Sequence, residues 1–401
     1  MIRQAVISGG VAYHHGLVQP GEILSEFEII DLGDLVSVDL NQFDLVLVLR
    51  STDGDALRAR RHQFARYLDH GGVLIAFGEC WSGWIPGSRW EPECAEDVIE
   101  PVVVSDHPIV AGSTPADLLW HPQLESWCCH GHFVAPEGAE VLVENQRGDA
   151  WLYIDQMSTN GVIVASSNLD PDTHTYHGSP RARAFFERLL ALARSEAEST
   201  AERRSRLTPK IAGLFSGVHF QKGFYEDAEF GPGFAVLPDW ELAAANLHDF
   251  AALWIPRECN QNLLVTNRDK LRHYLEEGGT IVSFEMANQP WLPAADWVLR
   301  PANMDSIRIA DHPMVSHLTI ENVKWHSHGL YSAYPGVTVL IDDSEGGVIL
   351  FLDDATFAGT LIAGTLDPDC HVGFGTERTR PLLRALVNWV KQSQRVPALA
   401  L

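Results

Sequence analysis

Two short motifs occur twice in this sequence, in the same order, and they constrain the fold more than any other feature. The first, Trp-x-x-His-Gly, occupies residues 127–131 and 325–329. The second, Leu-Asp-Pro-Asp-x-His, follows an apolar run each time and occupies residues 169–174 and 366–371. Self-similarity at a fixed spacing is the signature of repeated structural units. The sequence therefore predicts an internal duplication, with one copy of the same fold in each half.

Strand and helix patterns alternate in the first half. Residues 5–7 form an apolar run that leads into Ser-Gly-Gly, and residues 43–49 are almost continuously apolar, which is typical of a parallel strand covered on both faces. Residues 55–69 carry apolar side chains at helical spacing, and the Gly-Gly pair at 71–72 favours the end of that helix. The apolar run 73–77 follows. This order predicts a βαβ unit with a right-handed crossover.

The second half repeats this order. Residues 210–217 match the opening strand and loop, and residues 250–255 match the central strand. Residues 271–279 match the helix with its Gly-Gly end, and residues 280–284 match the strand after it. Strands that alternate with helices favour parallel sheets with helices on both faces. The predicted fold class is α/β, with two tandem flavodoxin-like, doubly wound domains whose sheets are mostly parallel.

A polar segment separates the two halves. Residues 195–209 are rich in charged side chains and poor in apolar ones, which is typical of a domain boundary, either a helical extension or a linker. We expect a first domain at 1–196, a linker at 197–209 and a second domain at 210–401.

Composition excludes some classes of partner. The formal net charge is −24 and the sequence pI is about 5.0, so the chain repels nucleic acid backbones and anionic lipid surfaces. No apolar stretch is long enough to span a membrane, and no secretory signal pattern opens the chain. The six cysteines form no C-x-x-C pair, which favours reduced thiols. We expect a cytoplasmic protein that binds neither nucleic acid nor membrane.

The order of motifs resembles that of the class I glutamine amidotransferase superfamily. The resemblance rests on the Gly-x-Cys-x-x-Gly passage at 78–83, then Asp-His-Pro at 106–108, then the two repeated motifs. In that family a cysteine nucleophile sits on a sharp turn between a strand and a helix, and a later His-Pro-Glu supplies the base and its orienting carboxylate. The resemblance implies a flavodoxin-like fold in both halves, with Cys80 at the position of the nucleophile.

The departures from that family pattern decide the predicted function. Asp170 and Asp367 stand where the family has the histidine of His-Pro-Glu. In the second half the position of Cys80 falls on Met286 or Ala287, according to where one gap is placed, and neither side chain is a nucleophile. We therefore predict a pseudoenzyme without glutaminase activity, which binds a small molecule or a protein partner that the sequence does not name.

A second hypothesis keeps an enzyme in the first half only, and the sequence leaves open whether the chain is an enzyme at all. In this hypothesis Cys80 is the nucleophile of an amidase or hydrolase, and His130 or His174 is the base. A reactive thiol needs such a base or a positive field to lower its pKa. The competing interpretation of Cys80 is a small buried hydrophobic residue, which is common for a free cysteine.

The candidate ligand-binding residues lie in the two repeated motifs, at the predicted carboxyl ends of strands, where open α/β sheets bind ligands. They are Trp127, His132, Asp170, Asp172, His328, Asp367, Asp369 and His371. The aspartates and histidines together could bind a divalent metal with the help of His130 or His132. Equally, the aspartates could cap the closing helix of each half. The spacing matches no established metal or cofactor motif, and the sequence leaves open whether the chain forms a homo-oligomer.

Overall fold

The computed structural model describes residues 2–93, 100–118, 120, 130–207, 209–293 and 295–393. The chain divides into two compact units, residues 1–207 and residues 208–401. We call them the N-terminal unit and the C-terminal unit. Among the described residues, no helix is both long enough and apolar enough to cross a membrane.

The N-terminal unit contains ten strands and six α-helices within its described residues. They are β1 (Gln4–Ser8), α1 (Ala12–Leu17), β2 (Glu28–Asp31), β3 (Leu45–Val48), α2 (Gly54–Arg58), α3 (Arg61–Asp69), β4 (Val73–Phe77), β5 (Arg89–Pro92), β6 (Pro101–Val103), β7 (Gly131–Val134), β8 (Glu140–Asn145), β9 (Ala150–Asp155), β10 (Val162–Ser166), α4 (Pro171–Tyr176), α5 (Pro180–Glu198) and α6 (Thr200–Arg206).

The C-terminal unit contains ten strands and five α-helices within its described residues. They are β11 (Ile211–Phe215), α7 (His219–Tyr225), β12 (Phe234–Pro238), β13 (Ala252–Ile255), α8 (Gln261–Thr266), α9 (Arg268–Glu276), β14 (Thr280–Ser283), β15 (Trp297–Val298), β16 (Ile307–Ile309), β17 (Leu330–Tyr331), β18 (Thr338–Asp343), β19 (Val348–Asp353), β20 (Thr360–Gly364), α10 (Pro368–Gly373) and α11 (Arg380–Ser393).

The two sheets have the same strand order. In the N-terminal unit the order is β2-β1-β3-β4-β10-β9-β7-β5, and β8 pairs with β9 and β6. In the C-terminal unit it is β12-β11-β13-β14-β20-β19-β17-β15, and β18 pairs with β19 and β16. The first five strands of each order are parallel, and the rest pair antiparallel. The predicted duplicated α/β fold is confirmed, and the antiparallel extension is a feature that the sequence patterns did not reveal.

Burial on both faces explains why the central strands are continuously apolar. Every residue of β3, β4 and β10 is buried. On one side of the sheet, α5 contributes Phe185, Phe186 and Leu189 to the core, and the ring of Phe186 lies 5.3 Å from that of Phe77. On the other side, α3 contributes Phe64 and other side chains to a separate cluster. A strand covered by two apolar layers has no polar face to show in its sequence.

The Gly-Gly pairs have a structural cause in each unit. Gly71, with φ +85°, ends α3 in the left-handed conformation that glycine adopts at little cost. Gly72 lies against the ring of Tyr67, and a Cβ there would meet ring carbons at 2.3 Å. Gly161 passes so close to the carbonyl oxygen of Gly72 that a Cβ would lie 2.3 Å from it. In the C-terminal unit Gly278, Gly279 and Gly359 have the same environments.

Two segments differ in detail from the sequence expectation. Residues 55–69 form two helices, α2 and α3, rather than one. Residues 197–209 contain the end of α5 and the whole of α6. From α6, Arg203 Nε donates to the carbonyl of Gly71 at 3.2 Å and Arg204 Nε donates to the carbonyl of His70 at 3.1 Å. The charged side chains that suggested a linker therefore attach α6 to the N-terminal unit.

We expect Gly161→Ala to lower the free energy of unfolding of the N-terminal unit by about 1–3 kcal/mol, the usual effect of overpacking a dense core. The added Cβ would meet two backbone carbonyl oxygens, those of Gly72 at 2.3 Å and Leu68 at 3.0 Å, which cannot rotate away. Urea unfolding followed by circular dichroism measures the effect.

Gly33→Ala is the matched control. Gly33 has φ −64° and ψ −32°, which alanine adopts readily, and a Cβ there would have no neighbour within 4 Å. Its stability should stay within about 1 kcal/mol of the original protein. Equal effects of the two substitutions would contradict the packing described for Gly161.

Candidate functional site

The candidate site of each unit lies at the carboxyl ends of its parallel strands, where open α/β sheets bind ligands. The N-terminal mouth consists of Arg50 after β3, Glu79 and Cys80 after β4, and Asp170 and Asp172 after β10. The C-terminal mouth consists of six residues. They are Arg257, His326, His328, Asp367, Asp369 and His371.

The sequence patterns did not single out the arginine of either mouth. Strand pairing aligns Val46 of β3 with Leu74 of β4, and Leu253 of β13 with Ile281 of β14, where Leu74 and Ile281 each lie two residues after a Gly-Gly pair. Arg50 and Arg257 therefore occupy equivalent positions, two residues after each buried strand. An arginine that directly follows an apolar strand in both halves is the signal that could have revealed them.

Arg50 binds three carboxylates in the N-terminal mouth. Its Nη1 lies 3.0 Å from Asp170 Oδ2. Its Nη2 and Nε donate to the two oxygens of Glu79 at 2.6 Å and 3.2 Å, which is the paired geometry that a planar guanidinium favours. Its backbone N–H donates to Asp172 Oδ2 at 2.9 Å. One residue therefore fixes the ends of β3, β4 and β10 relative to one another.

Two side chains of α1 hold the backbone of Arg50 from the other side. His14 Nε2 lies 2.7 Å from the carbonyl oxygen of Arg50, and Tyr13 donates its hydroxyl to the same oxygen. The N–H of Gly9 donates to His14 Nδ1 at 3.0 Å, so Nε2 carries the proton of a neutral ring. Burial lowers the pKa of His14, which agrees with the neutral form.

The pKa values of the three carboxyl groups around Arg50 shift in different directions. Burial raises the pKa of Asp170 to about 8, and the attraction of Arg50 is offset by Asp172 and Glu79. Burial also raises the pKa of Asp172 to about 6. Burial acts in the same direction on Glu79, but the bonds from Arg50 outweigh it and lower that pKa. Glu79 is thus the ionised partner of Arg50 at neutral pH, and Asp170 holds a proton.

Cys80 lies in surroundings that oppose a thiolate. Its Sγ is buried and approaches the carbonyl oxygen of Phe77 at 3.8 Å. Burial raises the pKa of the thiol, and the charges of Asp170, Glu79 and Asp172 raise it further. The backbone of Cys80 has φ −80° and ψ 46°, so it does not adopt the left-handed conformation.

The two histidines predicted as bases make other contacts. His130 is exposed, and its backbone N–H donates to Asn168 Oδ1 at 2.9 Å. The ring of His174 packs edge-on against Trp120, with ring centres 5.9 Å apart. In the C-terminal unit, strand register aligns Ser283 with Ala76. Continued without a gap, this alignment places Ala287 at the position of Cys80, and a one-residue gap after β14 places Met286 there.

The C-terminal mouth contains five residues of the repeated motifs, four of which the sequence had selected. Arg257 Nη1 lies 2.9 Å from Asp367 Oδ2 and 2.6 Å from His328 Nε2. His326 Nε2 lies 3.3 Å from Asp367 Oδ1, and His371 Nε2 lies 3.6 Å from the same oxygen. His326, which the sequence analysis did not select, occupies the position of Cys128 in the first copy.

Asp367 has the opposite charge behaviour to its N-terminal equivalent, Asp170. Burial alone would raise the pKa of Asp367, but the close approach of His326, His328 and Arg257 lowers it well below its usual value. Asp369 differs from it, since burial raises its pKa to about 7 while Trp254 Nε1 donates to its Oδ2 at 2.9 Å. The same motif position therefore carries a proton in one unit and a charge in the other.

Helix capping does not account for the first aspartate of either motif, whereas Asp369 accepts the N–H of Cys370 at 3.0 Å in the first turn of α10. Asp170 precedes α4 and Asp367 precedes α10, yet neither side chain makes a capping hydrogen bond. The long closing helix α5 is capped by Ser179, whose hydroxyl accepts from the N–H of Ala182 at 3.3 Å. The expectation that the aspartates cap the closing helix was wrong for α5, because the short helix α4 intervenes.

Two further predicted residues lie apart from these contacts. His132 is on β7, and its ring approaches Glu93 at 3.4 Å, Glu91 at 3.7 Å and Asp149 at 3.8 Å. These partners belong to the antiparallel part of the sheet and its turns. Trp127 lies outside the described residues.

The fold and the mouths define a class: a duplicated α/β protein in which each unit has a parallel sheet that ends in an arginine–aspartate pair. No protein-family model matches the sequence, and no curated protein gives a significant match.

Solved structures overlap with about half of the chain. One is a cytoplasmic protein of Salmonella typhimurium LT2, with a TM-score of 0.31 and 14% identity over 45% of this chain and 85% of that one. Another is a glutamine amidotransferase of Thermotoga maritima, with a TM-score of 0.30 and 10% identity over 51% of this chain and 94% of that one. A third is an exo-β-1,4-mannosidase of the Opitutaceae bacterium strain TAV5. Its TM-score is 0.28 and its identity is 14%, over 50% of this chain and 38% of that one. Overlaps this slight say nothing about what the chain does.

The opposite pKa shifts of Asp170 and Asp367 predict opposite pH dependence for their asparagine variants. Because the folded pKa of Asp170 is raised to about 8, its contribution to stability is present below its unfolded pKa and is lost as the pH rises toward 8. The stability of Asp170→Asn relative to the original protein should therefore improve between about pH 4 and pH 8.

Asp367→Asn is the matched counterpart in the second copy. The folded pKa of Asp367 is lowered, so its contribution is present above the unfolded pKa and is lost only in acid. Breaking this buried pair with Arg257 should cost about 3–5 kcal/mol at neutral pH. Urea unfolding across this pH range tests both variants, and parallel pH profiles for the two would contradict the assigned charges.

Proposed function

We propose that this protein is a glutamine amidotransferase-like binding protein without glutaminase activity, whose ligand site is the C-terminal mouth. The order of its motifs resembles that superfamily through both halves, and the duplicated α/β fold is compatible with this resemblance. The places of the family's base hold Asp170 and Asp367. The protein thus keeps the scaffold, and the residues that would release ammonia from glutamine are replaced.

The observation that carries the loss of activity is the environment of Cys80. Hydrolysis of glutamine by a cysteine requires a thiolate, which a neighbouring base or positive charge must stabilise. Here the charges that act on the thiol are carboxylates, and the guanidinium of Arg50 is already bonded to Glu79 and Asp170. Each of these carboxylates raises the pKa of Cys80, in the direction opposite to catalysis.

The competing hypothesis, a cysteine hydrolase in the N-terminal unit, gains no support from the described contacts. Its base would be His130 or His174, whereas the charges that act on the Cys80 thiol are those of Asp170, Glu79 and Asp172. General-base assistance is worth about 10²–10⁴-fold in rate, so a thiol without such assistance keeps little activity.

The chemistry of the partly exposed groups supports placing the ligand in the C-terminal unit. In the N-terminal mouth these groups are Arg50 and Glu79, which are 21% and 30% exposed and are already bonded to each other. In the C-terminal mouth, the side chains of His326, His328 and His371 are 43%, 25% and 21% exposed above a buried Asp367. Partly exposed imidazoles over a buried carboxylate are groups that a ligand can reach.

We expect purified protein to release no ammonia from glutamine above the rate of a Cys80→Ala variant. Measurement of ammonia by a coupled assay checks this, with an active glutaminase as the positive control. Ammonia release that disappears in Cys80→Ala would refute the loss of activity, whatever the C-terminal mouth binds.

We also expect Cys80 to react slowly with iodoacetamide at pH 8 in the native protein. The thiolate is the reacting form, and burial with three neighbouring carboxylates disfavours it. Peptide mass spectrometry follows the modification of Cys80 by itself, and the same protein unfolded in guanidinium chloride is the control. Labelling of native Cys80 at the rate of the unfolded chain would contradict the described environment.

A further inference from the structure

Three ligating atoms converge on one point in the C-terminal mouth. His326 Nε2 and Asp367 Oδ1 are 3.3 Å apart, His371 Nε2 and Asp367 Oδ1 are 3.6 Å apart, and the two Nε2 atoms are 3.4 Å apart. Ligands at 2.0–2.2 Å around a tetrahedral ion are separated by about 3.4 Å. The three atoms are therefore spaced as the corners of one face of such a tetrahedron.

The buried carboxylate oxygen in this group lacks a hydrogen bond. Asp367 is 1% exposed, and among the described residues its Oδ1 makes no well-aligned hydrogen bond, although His326 Nε2 lies 3.3 Å away. A buried carboxylate oxygen that is so weakly partnered is costly. An ion bound between Oδ1 and the two imidazoles would remove that cost.

The rest of the mouth orients these ligands. Arg257 donates to the other oxygen of Asp367 at 2.9 Å, which leaves Oδ1 to face the imidazoles. His371 follows Asp367 by four residues, and its N–H donates to the carbonyl of Asp367 at 3.3 Å, so one helical turn brings the two together. The ring of Trp325 packs edge-on against His371 with centres 5.7 Å apart. Such supports fix the direction of metal ligands.

His328 contacts Arg257 and is not one of the three ligating residues. Its Nε2 lies 2.6 Å from Arg257 Nη1, so its lone pair accepts from the guanidinium. Its ring stacks edge-on against His326, with centres 4.5 Å apart. We regard His328 as a positioning residue that supports Arg257 and His326.

We infer that the C-terminal mouth binds one divalent transition-metal ion, of the class of zinc, through His326 Nε2, His371 Nε2 and Asp367 Oδ1. Two imidazoles and a carboxylate are a donor set that suits zinc, and three protein ligands leave a fourth position for water or for a group of a further ligand. This inference rests on the proposed ligand-binding role of the C-terminal mouth and names a divalent transition metal as the class of ligand.

Titration of the full chain with zinc chloride in a calorimeter, after treatment with a chelator, tests the inference. We expect the original protein to bind one zinc ion. In both His326→Gln and His371→Gln, the affinity for this ion should fall by more than about 10-fold or binding should be lost, since even a group that only positions a ligand is worth about 10–100-fold in metal affinity. His174→Gln is the matched control, because His174 holds the position of His371 in the other copy, and its affinity should be unchanged.

Cobalt chloride supplies a second measurement on the same proteins. A tetrahedral cobalt spectrum without a thiolate charge-transfer band is expected for nitrogen and oxygen ligands, and it should vanish in His371→Gln. Absence of zinc binding, or binding that is unaltered in both His326→Gln and His371→Gln, would overturn the metal site. Neither result bears on ammonia release from glutamine, so failure of the metal site and failure of the proposed loss of activity are distinguishable.

Discussion

The arginine–aspartate pair at the carboxyl edge of each sheet is the interaction on which both mouths depend. Arg50 joins Asp170 at 3.0 Å, and Arg257 joins Asp367 at 2.9 Å. Each pair connects the end of a central strand to the turn that follows the last parallel strand. In the C-terminal pair, where Asp367 is ionised, removal of one partner leaves a buried charge without compensation. In the N-terminal pair, Arg50 keeps its ionised partner Glu79.

Divergence around this pair gives the two copies different properties. In the N-terminal unit Arg50 is shared with Glu79, and Asp170 has a further carboxylate, Asp172, beside it. In the C-terminal unit Arg257 lies 2.9 Å from Asp367 and 3.6 Å from the more exposed Glu258, and histidines surround Asp367. The first mouth thus has its carboxylates arranged around Arg50, and the second has imidazoles with nitrogen atoms directed to a common point.

Much of the fold could be predicted from the sequence, because buried parallel strands and Gly-Gly helix ends leave clear patterns. The antiparallel extension could not, since β7 and β17 are short and β9 and β19 follow tight turns rather than helices. The aspartates and histidines of the repeated motifs were selected correctly as neighbours in the case of His328, Asp367 and His371. Arg50, Arg257 and His14 were missed, because a single polar residue after an apolar run carries no motif.

The protonation states of Asp170 and Asp367 could not be predicted from the sequence. Asp170 and Asp367 occupy the same position in identical Leu-Asp-Pro-Asp contexts, so local sequence gives them equal pKa values. Their difference comes from residues distant in the chain, such as Glu79 in one unit and His326 in the other. Only the three-dimensional arrangement brings these groups within the short range over which they act.

The account depends most on the opposite ionisation of these two aspartates. Carbon-13 NMR of the side-chain carboxyl groups, in protein labelled at aspartate and assigned with asparagine variants, measures each directly as a function of pH. The account predicts that Asp170 titrates near pH 8 and that Asp367 remains ionised throughout the range in which the protein is folded. Titration of both groups near the ordinary aspartate pKa of about 3.9 would contradict it.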